Sequence, residues 1–94
     1  MAEATATVTL TNRMGLHARP STEIVRAACR FSSEVQISKD GQSADAKSVL
    51  ELLMLAAECG SELTVAAQGD DAAQAVAAVV GLIESRFGEL EVDR

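Results

Sequence analysis

The sequence predicts an α+β domain in which a four-stranded, mainly antiparallel sheet carries three helices on one face. Apolar residues recur with the two-residue period of strands in four segments and with helical spacing in three others. These segments follow the order strand, helix, strand, strand, helix, strand, helix, without an intervening linker or internal repeat. Ninety-four residues are enough for one core, so we expect residues 1–94 to form a single domain.

The first strand and the first helix are separated by a polar break at residues 12–15. Before the break, threonines alternate with four apolar residues, Ala4, Ala6, Val8 and Leu10. This alternation is typical of a strand that is buried on one face. After the break, Ile24, Ala27, Ala28 and Phe31 recur at helical spacing from Pro20 onward, which predicts an amphipathic helix.

A hairpin is predicted next, because Val35 and Ile37 alternate with polar residues and lead into Asp40-Gly41. An Asp-Gly pair suits the positive φ angles of a tight hairpin turn. We expect a short return strand that continues through Ala46.

The second helix is predicted over residues 48–58, with Ser48 as its N-cap and Gly60 as its left-handed end. Between Val49 and Leu55 only Glu51 is polar, which is more apolar surface than one buried stripe requires. If Leu52 and Leu55 face the core, other apolar side chains of this helix remain exposed as a patch, namely Val49, Leu50, Leu53 and Met54.

The chain ends with a fourth strand and a long helix. Leu63, Val65 and Ala67 alternate with polar or small residues, and Gly69-Asp70-Asp71 then introduces the helix with an Asp as N-cap. Gly88 is the predicted end of this helix. Its predicted buried side consists of Ala72, Ala75, Val76, Val79, Leu82, Ile83 and Phe87.

Composition excludes several classes of function. A net charge of −6 without a basic stripe opposes binding to nucleic acid, and the absence of Tyr and Trp leaves little for base stacking. No signal segment and no run of eighteen apolar residues is present, so neither secretion nor a membrane role is expected. Cys29 and Cys59 belong to no Cys-x-x-Cys pair, which favours two buried free thiols in a reducing, cytoplasmic setting.

The single histidine of the chain, His17, precedes a predicted helix start that contains Arg19 and Pro20. The first N–H groups of a helix lack helical partners, and together with the positive end of the helix dipole they attract an anion. A phosphoryl group on His17 would be such an anion. No second acid, metal-ligand set or phosphate-binding glycine loop accompanies it, so an independent enzyme, a metal site and a cofactor are not expected. On these residues alone, a loop histidine without chemistry is an equally good interpretation.

Three motifs at matching separations make the sequence similar to the HPr family of histidine-containing phosphocarriers. They are Gly15-Leu16-His17-Ala18-Arg19-Pro20, Ala46-Lys47-Ser48-Val49 and Gly69-Asp70-Asp71. The resemblance covers nearly the whole chain and implies the open-faced β-sandwich of this family, with the order βαββαβα.

The resemblance also implies the partners in the bacterial phosphoenolpyruvate-dependent phosphotransferase system. His17 would accept a phosphoryl group on Nδ1 from enzyme I and pass it to a histidine of an EIIA-type protein. Arg19 and the N–H groups of Ala18 and Arg19 would hold the phosphoryl group, and Pro20 would set the helix start. Ser21 stands where the family commonly has Ala, which we expect to be a small departure at the surface.

The family resemblance assigns two roles to the second helix. Ser48 matches a residue that an HPr kinase/phosphorylase phosphorylates in some bacteria, and Val49, Leu50 and Leu53 match the partner-docking positions. A carrier must keep its docking face free, so we expect a monomer.

The branch of the phosphotransferase system and the class of the protein both stay open at this point. The runs Leu52-Leu53-Met54-Leu55 and Glu84-Ser85-Arg86-Phe87-Gly88-Glu89 favour the nitrogen-regulatory branch over the sugar branch only weakly. An acyl carrier is a second class, although Lys47-Ser48-Val49 lacks the expected Asp-Ser-Leu and the strands conflict with a helical bundle. A non-catalytic regulatory domain with an idle His17 is the third.

Overall fold

A single antiparallel sheet with the strand order β1-β4-β2-β3 forms one layer of the computed structural model, which describes residues 2–88. Its strands are β1 (Glu3–Thr9), β2 (Glu34–Lys39), β3 (Gln42–Asp45) and β4 (Glu62–Gln68). The alternation in the sequence sets their two faces: Val35, Ile37 and Val65 are buried, whereas Thr5 and Gln36 are exposed on the opposite face. The predicted four-stranded sheet is confirmed.

Three helices cover the buried face of the sheet: α1 (Ala18–Ala28), α2 (Val49–Leu55) and α3 (Ala72–Glu84). Their apolar stripes and the inward strand residues form one core, which is aliphatic except for Phe87. The largest fully buried side chains include Leu10, Ile24, Ile37, Leu52, Leu63 and Ile83. The predicted α+β architecture is therefore confirmed, and it rules out the helical bundle of an acyl carrier.

The hairpin between β2 and β3 turns at the predicted residues. Asp40 and Gly41 have φ angles of 52° and 83°, so both central residues adopt the left-handed conformation that a tight hairpin turn requires. Lys39 pairs with Gln42 directly across the turn. The turn prediction is confirmed.

The predicted end of the second helix is wrong. The helix stops at Leu55, three residues before the predicted residue 58, and Ala56 rather than Gly60 caps it, with a left-handed φ of 54°. The N–H of Gly60 donates instead to the carbonyl oxygen of Leu10 at 2.7 Å, and the carbonyl of Ala57 accepts from Leu16. Because these residues bind the loop before α1, they cannot continue a helix.

The ends of the other two helices also differ from the prediction. The helix α1 ends at Ala28, three residues before Phe31, and α3 ends at Glu84 rather than at Gly88. A 3-10 turn at Arg86–Gly88 follows α3, in which Phe87 has a φ of 57° and is buried as predicted. Leu82 is only half-buried, and Glu89, the last residue of the C-terminal run compared above, lies outside the described residues.

Asp71 occupies the N-cap position of α3 but does not cap the helix with its side chain. Its carboxylate accepts hydrogen bonds from the N–H groups of Ser32 and Ser33, both at 2.9 Å, and from the Ser33 hydroxyl. Gly69 lies against the same serine, since a Cβ there would come within 2.5 Å of Ser33 Oγ. The Gly69-Asp70-Asp71 segment therefore fastens the loop before β2 to the start of α3.

Both cysteines are unpaired, as predicted, but the predicted burial is wrong. Cys29 follows the last turn of α1 on its exposed side, and Cys59 lies in the exposed loop between α2 and β4. The apolar residues that suggested burial lie elsewhere: those near Cys29 are on the opposite side of α1, and those near Cys59 are in α2, before the loop begins. Within residues 2–88, no helix is long and apolar enough to cross a membrane, and no cluster of potential metal ligands occurs.

Candidate functional site

The loop that carries His17 is fastened to the loop that follows α2. The N–H of Leu10 donates to the Ser61 carbonyl at 2.8 Å, and the N–H of Leu16 donates to the Ala57 carbonyl at 3.0 Å. Leu16 is also buried in the core with 4% of its surface exposed. The start of α1 is thereby fixed relative to the end of α2.

A turn from Asn12 to Gly15 shapes this loop. The N–H of Gly15 donates to the Asn12 carbonyl at 3.2 Å, and Asn12 Nδ2 donates to the Gly15 carbonyl at 2.8 Å. Gly15 has a φ of 68°, and a Cβ there would lie only 2.4 Å from the Ala57 carbonyl oxygen. The position therefore requires glycine for both its conformation and its lack of a side chain.

Sequence reasoning treated residues 12–15 only as a break and missed Asn12. An Asn followed three residues later by Gly is a signal for a turn, and it could have indicated that the side chain closes the turn onto its own backbone.

His17 occupies the N-cap position of α1. Its N–H donates to the Gly15 carbonyl at 3.0 Å, and its carbonyl accepts the first helical hydrogen bond, from the N–H of Ser21, at 3.1 Å. His17 is partly exposed, and its side chain does not cap the helix. The backbone of His17 is thus held on both sides.

The first turn of α1 collects positive electrostatic potential beside His17. The first helical hydrogen bond is donated by Ser21, and Pro20 has no N–H. The N–H groups in the first turn that have no acceptor within the helix are therefore those of Ala18 and Arg19. The side chain of Arg19 is exposed, and the first turn contains no acidic residue. Such a helix start favours an anion that carries several oxygen acceptors.

The expectation that Ser21 is a surface residue is wrong. Ser21 is fully buried, and its hydroxyl has no hydrogen-bond partner within residues 2–88. It lies on the same side of α1 as Ile24 and Ala28, one turn and two turns further along the helix, and both are buried. The hydroxyl therefore belongs to the core side of α1.

The helix α2 exposes three of its six apolar residues and leaves a fourth half-buried, in the pattern predicted from the sequence. Leu50 and Met54 are 67% and 71% exposed and Leu53 is 38% exposed, whereas Leu52 and Leu55 are buried. Val49 is half-buried. We call Val49, Leu50, Leu53 and Met54 the α2 patch.

Ser48 begins this helix as the predicted N-cap. Its hydroxyl accepts a hydrogen bond from the N–H of Glu51 at 3.2 Å. The Glu51 carboxylate does not return to Ser48, as it would in a capping box, but accepts from the N–H of Asp45 at 2.9 Å. Ser48 is partly exposed and directly precedes Val49 of the α2 patch.

Comparison with known proteins identifies a family for this arrangement. Residues 4–85 match the family described as PTS HPr component phosphorylation site. The "Phosphocarrier protein HPr" of Cupriavidus necator is 43% identical over 83 residues, which cover 88% of this chain and 93% of that protein. The "Phosphocarrier protein NPr" of Shewanella violacea is 39% identical over 82 residues, covering 87% and 90% of the two chains.

Solved structures agree with the sequence matches. The crystal structure of HPr-C-His from Thermoanaerobacter tengcongensis superposes with a TM-score of 0.88 at 40% identity, covering 96% of this chain and 99% of that one. An HPr dimer from the same organism matches with a TM-score of 0.74, also at 40% identity, and covers 89% and 97% of the two chains.

Proposed function

Because the chain belongs to the HPr family of phosphotransferase-system phosphocarriers, we propose that His17 accepts a phosphoryl group from phospho-enzyme I and donates it to a histidine of an EIIA-type protein. The position of His17 supports this proposal: it is the N-cap residue of α1, directly before Ala18 and Arg19, whose N–H groups precede the first helical hydrogen bond. Family membership favours this interpretation over that of a loop histidine without chemistry.

The transfer exchanges one bond to phosphorus for another. The bond between phosphorus and the donor breaks as a bond from phosphorus to Nδ1 of His17 forms, and the reverse exchange with EIIA releases the imidazole. The N–H groups of Ala18 and Arg19 and the Arg19 guanidinium offset a charge of roughly −2 on the phosphoryl group. Pro20 fixes where the helix begins, and hence where these donors lie.

The modest number of donors suits a carrier. A phosphoryl group held by one guanidinium and two backbone amides at a partly exposed position is stabilised without being trapped. The protein thus needs no activity of its own beyond the transient phosphohistidine.

Incubation with phosphoenolpyruvate and enzyme I tests the proposal. We expect an acid-labile, alkali-stable phosphoryl group on the wild-type protein and none on His17→Ala, with both variants equally folded by circular dichroism. A regulatory domain with an idle His17 would leave the wild-type protein unphosphorylated, and this result would overturn the proposal.

The branch of the system is decided by the partners. Relatives named HPr and NPr match at similar identity, 43% and 39%. The phosphorylated protein is therefore offered to EIIA proteins of the sugar and the nitrogen-regulatory branches, and the faster transfer identifies its branch.

The α2 patch is the proposed docking surface, with Val49, Leu50 and Leu53 in contact with enzyme I and EIIA. A small apolar surface next to the phosphoryl site fits a complex that must dissociate after each transfer. We propose a cytoplasmic monomer, because a free patch is needed in each round; sedimentation at the concentrations of the transfer assay tests this, since one relative was solved as a dimer.

Ser48 is the proposed regulatory site, phosphorylated by an HPr kinase/phosphorylase where the organism has one. A phosphate on its hydroxyl would lie one residue from Val49, where its charge and hydration oppose apolar docking. Phosphorylation would then lower the rate of transfer without altering His17.

A further inference from the structure

We propose that Asn12 is a positioning residue for His17 and acts through the peptide group between Gly15 and Leu16. The inference rests on the proposed role of His17 as phosphoryl acceptor. It adds a residue of the β1–α1 loop, five positions before the histidine, to the machinery of transfer.

Asn12 holds one end of a peptide group whose other end is held by the backbone. The carbonyl oxygen of this group, on Gly15, accepts from Asn12 Nδ2 at 2.8 Å, while its N–H, on Leu16, donates to the Ala57 carbonyl at 3.0 Å. With both ends held, the peptide plane cannot rotate freely.

The same carbonyl oxygen is the acceptor for His17. The His17 N–H donates to it at 3.0 Å, so one oxygen receives both the Asn12 amide and the histidine backbone. On its other side, His17 is held through its carbonyl by Ser21 of α1. Asn12 thereby helps to hold in place the oxygen that accepts from the His17 N–H.

The burial of Asn12 shows which half of its amide is used. Asn12 is only 1% exposed, and its Oδ1 has no hydrogen-bond partner within residues 2–88, although Nδ2 is bonded. A buried amide oxygen without a partner costs free energy that an apolar side chain of similar size would spare. The Nδ2–H donor to Gly15 is therefore the useful part of this side chain.

Positioning has a direct consequence for transfer. The imidazole must meet the incoming phosphorus and also lie where the first N–H groups of α1 can reach the product oxygens. If the Gly15 carbonyl turns away, the His17 backbone loses this anchor and the imidazole samples other positions. Docking should survive, because the α2 patch contains no residue of this turn.

Two variants remove the donor in different ways. Asn12→Ala removes both the amide and its volume, whereas Asn12→Leu retains the volume and also removes the unpartnered oxygen. Val79→Ala, a buried position on α3, provides a control that loses stability without touching the loop. Rates are expressed per folded molecule, counted by circular dichroism, so that unfolded protein is not counted as lost positioning.

We expect both Asn12 variants to lower the kcat for phosphorylation by enzyme I about 10-fold to 100-fold, since a displacement near 1 Å has effects of this order. The KM for the acceptor should change less than about threefold, and Val79→Ala should keep the wild-type kcat within about twofold. If either Asn12 variant accepts phosphate as fast as Val79→Ala, Asn12 has only a structural role.

Amide hydrogen exchange of the unphosphorylated protein provides a second, independent measurement. We expect the His17 N–H to exchange at least about tenfold faster in Asn12→Leu than in wild type, relative to core amides of β4. An unchanged relative rate would overturn the inference. If wild-type protein accepts no phosphate, the proposed function fails, while this exchange measurement still decides whether Asn12 holds His17.

Discussion

The N–H of Leu16 donates to the carbonyl oxygen of Ala57 at 3.0 Å, which joins the residue before His17 to the second residue after α2. Close packing accompanies this bond, because Gly15 lies directly against the backbone of Ala57 and Glu58. The loop that carries His17 and the end of α2 are therefore joined by backbone hydrogen bonds, so His17 and the α2 patch should keep their relative positions.

Gly15→Ala should disturb this junction strongly. A Cβ at Gly15 would lie 2.4 Å from the Ala57 oxygen, in a backbone with φ of 68°. We expect a loss of about 2–3 kcal/mol in the free energy of unfolding by urea, together with slower transfer. Gly41→Ala is the matched control, with φ of 83° but no atom within 4 Å, and should lose only about 1 kcal/mol. Equal losses would contradict the close approach.

Leu50→Glu should slow transfer to and from His17 by at least about tenfold, because a charge would be placed in the centre of an apolar contact. Leu50 is 67% exposed, so the circular-dichroism spectrum and the urea midpoint should stay close to wild type. Ala73→Glu adds the same charge on the exposed side of α3, away from the patch. If Leu50→Glu transfers as fast as Ala73→Glu, the α2 patch is not the docking surface.

Substitutions at Ser48 should separate capping from regulation. Ser48→Ala removes the acceptor of the Glu51 N–H and should cost about 1 kcal/mol of stability, with the transfer rate unchanged. Ser48→Asp retains a capping oxygen but adds a negative charge beside the patch, so its stability should be kept while transfer slows. Equal transfer rates for the two variants would argue against regulation through this serine.

Ser21→Ala should stabilise the protein, which is unusual for a substitution in a core. The buried hydroxyl has no partner within residues 2–88, and removing it avoids a desolvation cost of about 1 kcal/mol. Thr22→Ala is the neighbouring control, since the exposed Thr22 hydroxyl bonds to the Ala18 carbonyl, and we expect a change within about 0.5 kcal/mol. Urea unfolding decides, and a loss of stability in Ser21→Ala would show that the hydroxyl is used.

Asp71→Asn should alter how stability depends on pH. Hydrogen bonds from the Ser33 hydroxyl and from the N–H groups of Ser32 and Ser33 hold the pKa of Asp71 below its ordinary 3.8. Because the pKa is lower in the folded protein, the ionised carboxylate stabilises the fold at pH values above 3.8, the ordinary pKa. This stabilisation is lost as the pH falls through 3.8 toward the pKa of the folded state.

Urea unfolding at several pH values measures this dependence. The wild-type protein should be more stable than Asp71→Asn at pH 7, and the difference should shrink below about pH 4. Asp70→Asn, with the same charge change at the exposed neighbour, should show a much smaller difference at pH 7. A difference that stays constant between pH 7 and pH 3 would contradict the role of the Asp71 carboxylate.

The features that sequence reasoning predicted correctly depend on local patterns. Alternation fixes the faces of β2 and β4, Asp40-Gly41 fixes the hairpin turn, and Ser48 caps α2 through a residue three positions away. Each of these needs only neighbours along the chain, and all are visible in a single sequence.

The features that it missed depend on partners far apart in the chain. Gly60 does not end α2, because the α2–β4 loop bonds to Leu10 and Leu16, some 40 to 50 residues earlier. Asp71 satisfies Ser33, 38 residues away, instead of its own helix. The cysteines were judged by their apolar neighbours in sequence, yet Cys29 at the end of α1 and Cys59 in the α2–β4 loop are both exposed. Such choices follow from packing between elements.

If the α2 patch is the docking surface, the outward position of Leu50 and Met54 allows the binding partner to change during evolution. These side chains contribute little to the core, so their replacement costs little stability, commonly within about 0.5 kcal/mol. A duplicated gene could therefore acquire new binding partners by changes on one short helix, while the backbone that surrounds His17 and its hydrogen bonds is inherited unaltered. Two related carriers could then serve different partners while keeping the same histidine chemistry.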